Sequence, residues 1–378
     1  MTKCANGWMK WQDESERWLL ELVRAGMDGR PPQLRESLTG EAGRKVYRRA
    51  LQQAVTGVAY DGMTLLPPAQ RPDRQLLLEW YGRTQLLEQE NLRQRQMLAL
   101  LLKAYRTEGC EPVLLKGMGL GHYYPNPLRR QPGDIDLYFP EQYEAANRLA
   151  ATWPGVTFHP ETAYHRSFTW QGVEVEHHRI FVDFYHPRNR KEWAGLAERL
   201  QPDRGQLLEL EEGIQVKMLS PQVNVLYVFL HLLHHFLQTG VGLRQVCDWV
   251  CLWRSVGAQV DRELFCTCLD RLRLRRAATA LAYVAVTYLG LPATSIPLDI
   301  SGKQAQRDGE KMLRDLLDGG NFGMPGGRLQ GFVRNRHWKN LPCYGRALWR
   351  QARLYGFCPR EVRAYPLMWV KSKIRKNA

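Results

Sequence analysis

Asp134 and Asp136 are the residues of this 378-residue chain whose type and spacing speak most directly of chemistry, and they form its only Asp-x-Asp pair. Asp134 to Phe139 alternates polar and apolar residues, the pattern of a strand, and residues two apart on a strand share a face. Ile135 and Leu137 would then face the core. Two carboxylates side by side repel each other unless a positive charge lies between them. A divalent cation with hard oxygen ligands, Mg²⁺ or Mn²⁺, meets that need. A chain of this length holds about one such pair by chance, so the pair alone describes an exposed strand edge equally well, and its surroundings decide.

Those surroundings point to phosphate. Pro112 to Leu115 is a short apolar run fit for a buried strand, and Lys116-Gly117 follows it just before a predicted helix, Met118 to Tyr124. Glycine permits close backbone approach, a helix N-terminus offers N–H groups to a phosphate, and Lys116 adds a cation. The turn-rich loop from Pro125 to Gly133 carries Arg129 and Arg130, which suit phosphate charge. Downstream, Glu174 and Glu176 lie two apart on a predicted strand, Val173 to Val182, and so share a face. A further carboxylate from an adjacent strand would complete a cage for two cations about 3.5–4 Å apart. His178 shares the face of Glu176, where it can support the carboxylates or act as a general base, whereas His177 points the other way.

The elements around this unit are helical. The spacing predicts helices over residues 8–25, 41–57 and 73–107, then the strands and the 141–152 helix of the α/β unit, with Gln171-Gly172 as the turn of a hairpin between Ser167–Trp170 and Val173–Val182. Helices return over 221–238, 243–255, 262–289 and 304–317. The expected fold class is α/β (α+β), with a small mixed sheet flanked by helical regions. The expected units are residues 1–108, 109–220 and 221–378. His231, His234 and His235 lie on the first of the later helices. No Glu stands in that turn to complete a zinc motif, so packing against the sheet is the better reading. Arg244 and Asp248 are spaced to pair along a helix or to shape the cleft. Asp183 lies beyond the expected sheet and is left out of the carboxylate set.

Composition bounds the rest. Hydrophobic residues make up 44% and charged residues 24% of the chain, with twelve Trp and sixteen Tyr, which excludes a disordered protein. The most apolar stretch, Val223 to Leu237, is interrupted by three histidines and is too short and polar to cross a bilayer. The first residues lack the features of a signal peptide, so a cytoplasmic location is expected. Eight cysteines without a Cys-x-x-Cys pair read as buried thiols rather than a zinc site, even at Cys247 and Cys251. The net charge is +15, and residues Pro325 to Ala378 carry thirteen Lys/Arg against one acidic residue, Glu361. Interleaved with Trp338, Trp349, Tyr355 and Trp369, this basic tail suits either nucleic acid or the solvated face of a helical cap.

The run Lys116-Gly117-x-x-Leu120, Tyr124-Pro125, Arg130-x-x-Gly133-Asp134-Ile135-Asp136-Leu137 resembles the uncharacterised bacterial nucleotidyltransferase family of the DNA-polymerase-β-like superfamily. Glu176-x-His178, His234, Leu243-Arg244 and Asp248 extend the similarity. The resemblance implies a metal-dependent enzyme that moves a nucleoside monophosphate from an NTP to an acceptor hydroxyl, releasing pyrophosphate. It implies Asp134 and Asp136 as metal ligands, with Glu176 or Glu174, Glu176 preferred, as the third carboxylate, and Lys116 and Gly117 at the nucleotide phosphates. The superfamily usually has Gly-Ser where this chain has Gly117-Met118. RNA or protein is the favoured acceptor. The competing expectation is a nucleotide- or nucleic-acid-binding protein that retains the fold without turnover.

Overall fold

The computed structural model describes residues 11–320 and 352–366, apart from 163, 202–204, 211, 212 and 239. Helix α1 (Glu14–Asp28) is capped by the Asp13 carboxylate, which accepts from the Ser15 N–H, and it packs on α3 (Thr56–Thr64). The crossing is close: a Cβ on Gly62 would lie 1.9 Å from the Leu22 carbonyl oxygen, so glycine is required there. Helix α2 (Gly40–Gln52) ends before α3 begins, so the single helix expected over 41–57 is two. The break is at Ala54, which takes a left-handed φ of 54° with no Gly or Pro to announce it. Helix α4 (Arg74–Thr107) matches the expected long helix, started by Asp73 accepting from the Leu76 N–H.

The sheet follows, threaded through short helices: β1 (Val113–Leu114), α5 (Met118–Gly121), β2 (Ile135–Tyr138), α6 (Tyr143–Ala150), β3 (Thr157–Phe158), β4 (His165–Trp170), β5 (Val173–His178), α7 (Pro187–Leu200), β6 (Gln206–Glu209) and β7 (Gln215–Met218). The strand order is β3-β4-β5-β2-β1-β7-β6. β2 runs parallel to β5 and antiparallel to β1, so the sheet is mixed, and the fold class is α/β as expected. The β4–β5 hairpin turns on Gln171 and Gly172, both at positive φ (48° and 75°), the conformation of a tight primed turn. β5 stops at His178 rather than Val182, because its neighbours β2 and β4 end at Tyr138 and His165 and leave nothing further to pair with.

Helices α8 (Pro221–Gln238), α9 (Leu243–Val256), α10 (Arg262–Leu272), α11 (Arg275–Leu289) and α12 (Lys303–Gly319) complete the described body. The helix expected over 262–289 breaks at Arg273, another non-glycine residue at positive φ (58°). A last helix spans residues 359–366. No described helix is long and apolar enough to cross a membrane. Trp338, Trp349 and Trp369, with most of the basic tail, lie outside the described residues. The described part docks: Leu354, Phe357 and Val362 join the main core.

Two cores divide the work. The larger combines α1–α3 with α8–α12, so chain from before and after the sheet packs together. The smaller lies under the sheet, where Leu98, Leu101 and Tyr105 of α4 and Ala146 of α6 cover Ile135, Leu137 and Val175. The alternation along β2 and β5 therefore turns apolar residues to α4 and α6 and leaves acidic residues on the opposite face. Cys247 and Cys251 are buried free thiols.

Candidate active site

The strand registers assemble the site before any side chain is considered. Asp136 sits directly beside Glu176 across the β2–β5 pair. Across β4–β5, Glu176 faces Ser167 and His178 faces His165. Leu115 donates its N–H to the Asp136 carbonyl at 3.0 Å, which fixes the exit of β1 and hence Lys116 above the same face. Gly117, at φ 59°, turns the chain into α5, and a Cβ there would come to 3.1 Å from the Asp134 carbonyl oxygen. Its conformation is one that side chains rarely adopt.

Asp136 is 2% exposed and is the electrostatic centre. Lys116 Nζ lies 3.1 Å from its Oδ1, and His178 Nε2 lies 2.9 Å from the same oxygen. Burial alone would raise this carboxyl, but the Lys116 charge and the His178 hydrogen bond outweigh it and hold Asp136 well below the usual carboxylate range. His178 Nε2 also reaches Glu176 Oε2 at 3.3 Å. Burial works against an imidazolium there, and the bonds to Asp136 and Glu176 prevail, raising His178. Asp134 has the opposite fate. Burial first, then the charges of Asp136, Glu176 and Glu174, push its carboxyl up to about 7.

The side chains of α8 and α9 form the opposing wall. His231 Nε2 stands 3.4 Å from Lys116 Nζ. Burial and the Lys116 charge keep His231 neutral, and burial pushes His235 down to about 3. Arg130 forms a two-pronged pair with Asp248, Nε–Oδ1 2.7 Å and Nη2–Oδ2 2.9 Å, and Tyr124 Oη donates to the same carboxylate at 2.7 Å. Asp248 thus pairs with Arg130, while Arg244 donates to the Pro132 carbonyl at 3.2 Å. Arg129 turns away, bonding Asp61 at 2.7 Å and pairing with Glu88. Between sheet and wall lies a cavity of about 670 Å³, lined by Lys116, Gly117, Asp134, Asp136, Glu176 and His178 on one side and by His231, His235, Arg244 and Asp248 on the other. That volume suits a nucleotide.

Of the residues singled out from sequence, Lys116, Gly117, Arg130, Asp134, Asp136, Glu176 and His178 line this cavity, and Glu174, Arg129 and His177 do not. Glu174 is exposed on the same strand face, and its charge is felt at Asp134. Asp183 lies past the end of β5, pairs with Arg190 at 3.2 Å and touches the cavity rim. His177 is buried on the other face, with Tyr105 Oη 2.5 Å from its Nε2 and Asn147 2.9 Å from its Nδ1. The residue that sequence reasoning missed is His165, whose Nε2 is 3.6 Å from Glu176 Oε1. The donor chemistry fits a hard divalent cation. Asp136 and Glu176 adjoin across the β2–β5 register and Asp134 stands just before β2, and their oxygens are donors of the kind such a cation takes.

The family model described as "Uncharacterised nucleotidyltransferase" matches residues 40–290, more than half of the chain and all of the cavity-forming elements from α2 to α11. The solution structure of the antibiotic-resistance factor ANT(2'')-Ia is similar at 16% identity and a TM-score of 0.35, over 50% of this chain and 95% of that one. Among curated proteins none matches. With Asp134-Ile135-Asp136 and Glu176 inside the matched span, the chain belongs to the uncharacterised nucleotidyltransferase family.

Proposed function

We propose that this chain transfers a nucleoside monophosphate from an NTP to an acceptor hydroxyl, in the manner of the DNA-polymerase-β-like superfamily. The observation that carries the reading is the convergence of Asp134, Asp136 and Glu176 with Lys116 on one wall of a nucleotide-sized cavity. In this reading the acceptor oxygen bonds to the α-phosphorus as the bond to the β-phosphate oxygen breaks, and pyrophosphate leaves. The hydroxyl proton passes to Glu176, which His178 holds in place. Mg²⁺ or Mn²⁺ held by Asp134, Asp136 and Glu176 would polarise the α-phosphate and offset its charge. Lys116 and the Gly117 turn take the phosphates, while Arg130, its charge matched by Asp248, braces the loop that delivers Asp134. The protein's part is positioning and electrostatics. The basic C-terminal segment favours RNA or protein as acceptor over a small molecule.

A second reading, a nucleotide-binding protein without turnover, draws on Met118, which replaces the usual serine hydroxyl beside Gly117. Both aspartates, and Lys116 paired with Asp136, argue for turnover.

The test is to incubate the purified chain and an Asp134→Asn/Asp136→Asn variant with Mg²⁺ or Mn²⁺ and each α-phosphate-labelled NTP, with total tRNA or with no added acceptor. Label transferred to RNA or to the protein and lost in the variant supports the enzyme. Nucleotide binding without transfer to any acceptor supports the second reading, and absence of both nucleotide and metal binding overturns the site.

A further inference from the structure

We infer that His165, Glu176 and His178 form a site for a divalent first-row transition ion, of the Mn²⁺, Co²⁺ or Zn²⁺ class, alongside the all-carboxylate position. Two imidazole nitrogens and a carboxylate oxygen from these residues lie within 4.8 Å of one another. His178 Nε2 is 3.3 Å from Glu176 Oε2, and His165 Nε2 is 3.6 Å from Glu176 Oε1. Donors each about 2.1 Å from one ion in tetrahedral array stand about 3.4 Å apart. Each ring nitrogen already stands near that distance from one of the two Glu176 oxygens, so both oxygens facing the ion, or a small turn of one ring, would complete the set.

The scaffold is rigid. His165 and His178 are direct cross-strand partners, and Glu176 is two residues along the same strand, so the three side chains share one sheet face by register. The rings stand with centroids 5.4 Å apart and planes at 44°. The donor types set the ion class. Imidazole suits Mn, Co, Zn and their neighbours, whereas Mg²⁺ prefers oxygen throughout. His178 Nε2 bonds Asp136 at 2.9 Å, and an ion at that nitrogen would take the place of this hydrogen bond. The site rests on strand geometry and stands whether or not the chain transfers nucleotides.

The test is a Co²⁺ titration of the full chain after chelator treatment, followed by visible absorption. Wild type should develop the intensified bands of histidine-ligated Co²⁺, and Mg²⁺ in large excess should leave them in place. His165→Gln should weaken Co²⁺ binding by at least about tenfold, the lower end of the loss seen when even a supporting partner of a ligand is removed. Asp134→Asn should keep the bands, which separates this site from the proposed nucleotide site. Pulsed EPR of the Mn²⁺-loaded wild type reads imidazole nitrogen coupling directly and needs no variant. A wild-type spectrum of weak, all-oxygen Co²⁺ with no nitrogen coupling, or a folded His165→Gln variant that binds Co²⁺ as tightly as wild type, would overturn the assignment.

Discussion

Arg130 and Asp248, 118 residues apart in sequence, meet in a two-pronged ion pair sealed inside the protein. The pair ties the loop before Asp134 to helix α9, so the strand carrying Asp136 and its opposing wall are held at a fixed spacing. Removing one partner leaves the other charge buried and unmatched. Asp248→Ala should cost about 3–5 kcal/mol in urea unfolding, and Arg130→Met combined with Asp248→Leu should recover most of that loss. Equal destabilisation in the single and double variants would show that the pair is not what holds the loop.

Gly117 sits where only glycine is comfortable, at φ 59° and ψ −125°. Gly117→Ala should lose about 1–3 kcal/mol of stability through backbone strain. Because an added Cβ meets the Asp134 carbonyl oxygen, the variant should lose nucleotide affinity as well. Thermal melting and nucleotide titration on the same sample measure the two effects. An unchanged melting temperature would mean that the turn relaxes freely.

With the carboxyl of Asp134 pushed up to about 7, binding of a cation there would be a proton exchange. Below that pH a bound proton competes with the ion, so Mg²⁺ affinity should fall by up to about tenfold per pH unit, and above it the affinity should level off. Calorimetric titration of Mg²⁺, which the imidazole site does not favour, into wild type and Asp134→Asn between pH 6 and pH 8 checks this, since the variant should lose the slope.

Glu361, 4% exposed, accepts hydrogen bonds from the Tyr185 N–H at 2.6 Å and Asn189 Nδ2 at 2.7 Å. Burial nevertheless raises its carboxyl to about 7. A raised folded-state pKa means that its contribution to stability is fully present below the unfolded value of about 4.3 and is lost as pH rises through 7. Wild type should therefore lose about 2–3 kcal/mol relative to Glu361→Gln between pH 5 and pH 8. Parallel pH dependence of the two proteins in urea unfolding would refute the assignment.

Much of the site was legible because the chemistry sits on a period-two pattern. The alternation of Asp134 to Phe139 sends Ile135 and Leu137 inward and Asp136 outward, as the smaller core confirms. The hairpin at Gln171-Gly172 was equally visible, and it held unused information. A two-residue turn pairs Trp170 with Val173, and counting outward from there puts His165 opposite His178. What sequence could not supply was long-range pairing. Nothing local in Arg130 announces Asp248, and i, i+4 spacing pointed to Arg244 instead. The outer strands β3, β6 and β7 are too short to show periodicity, and the helix breaks at Ala54 and Arg273 lack turn residues because tertiary packing imposes them.

The larger core joins helices made early to helices made late, with Gln53 donating to the carbonyls of Leu316 and Leu317 and accepting from the Leu243 N–H. A ribosome that has just finished Glu176 has therefore produced every carboxylate of the cluster but neither the histidine wall nor the partner of Arg130. Vectorial synthesis favours folding from the N-terminal end, yet this chain must keep its first helices waiting for their last partners. Until α9 emerges, the acidic strands lack the wall that makes their face a cavity.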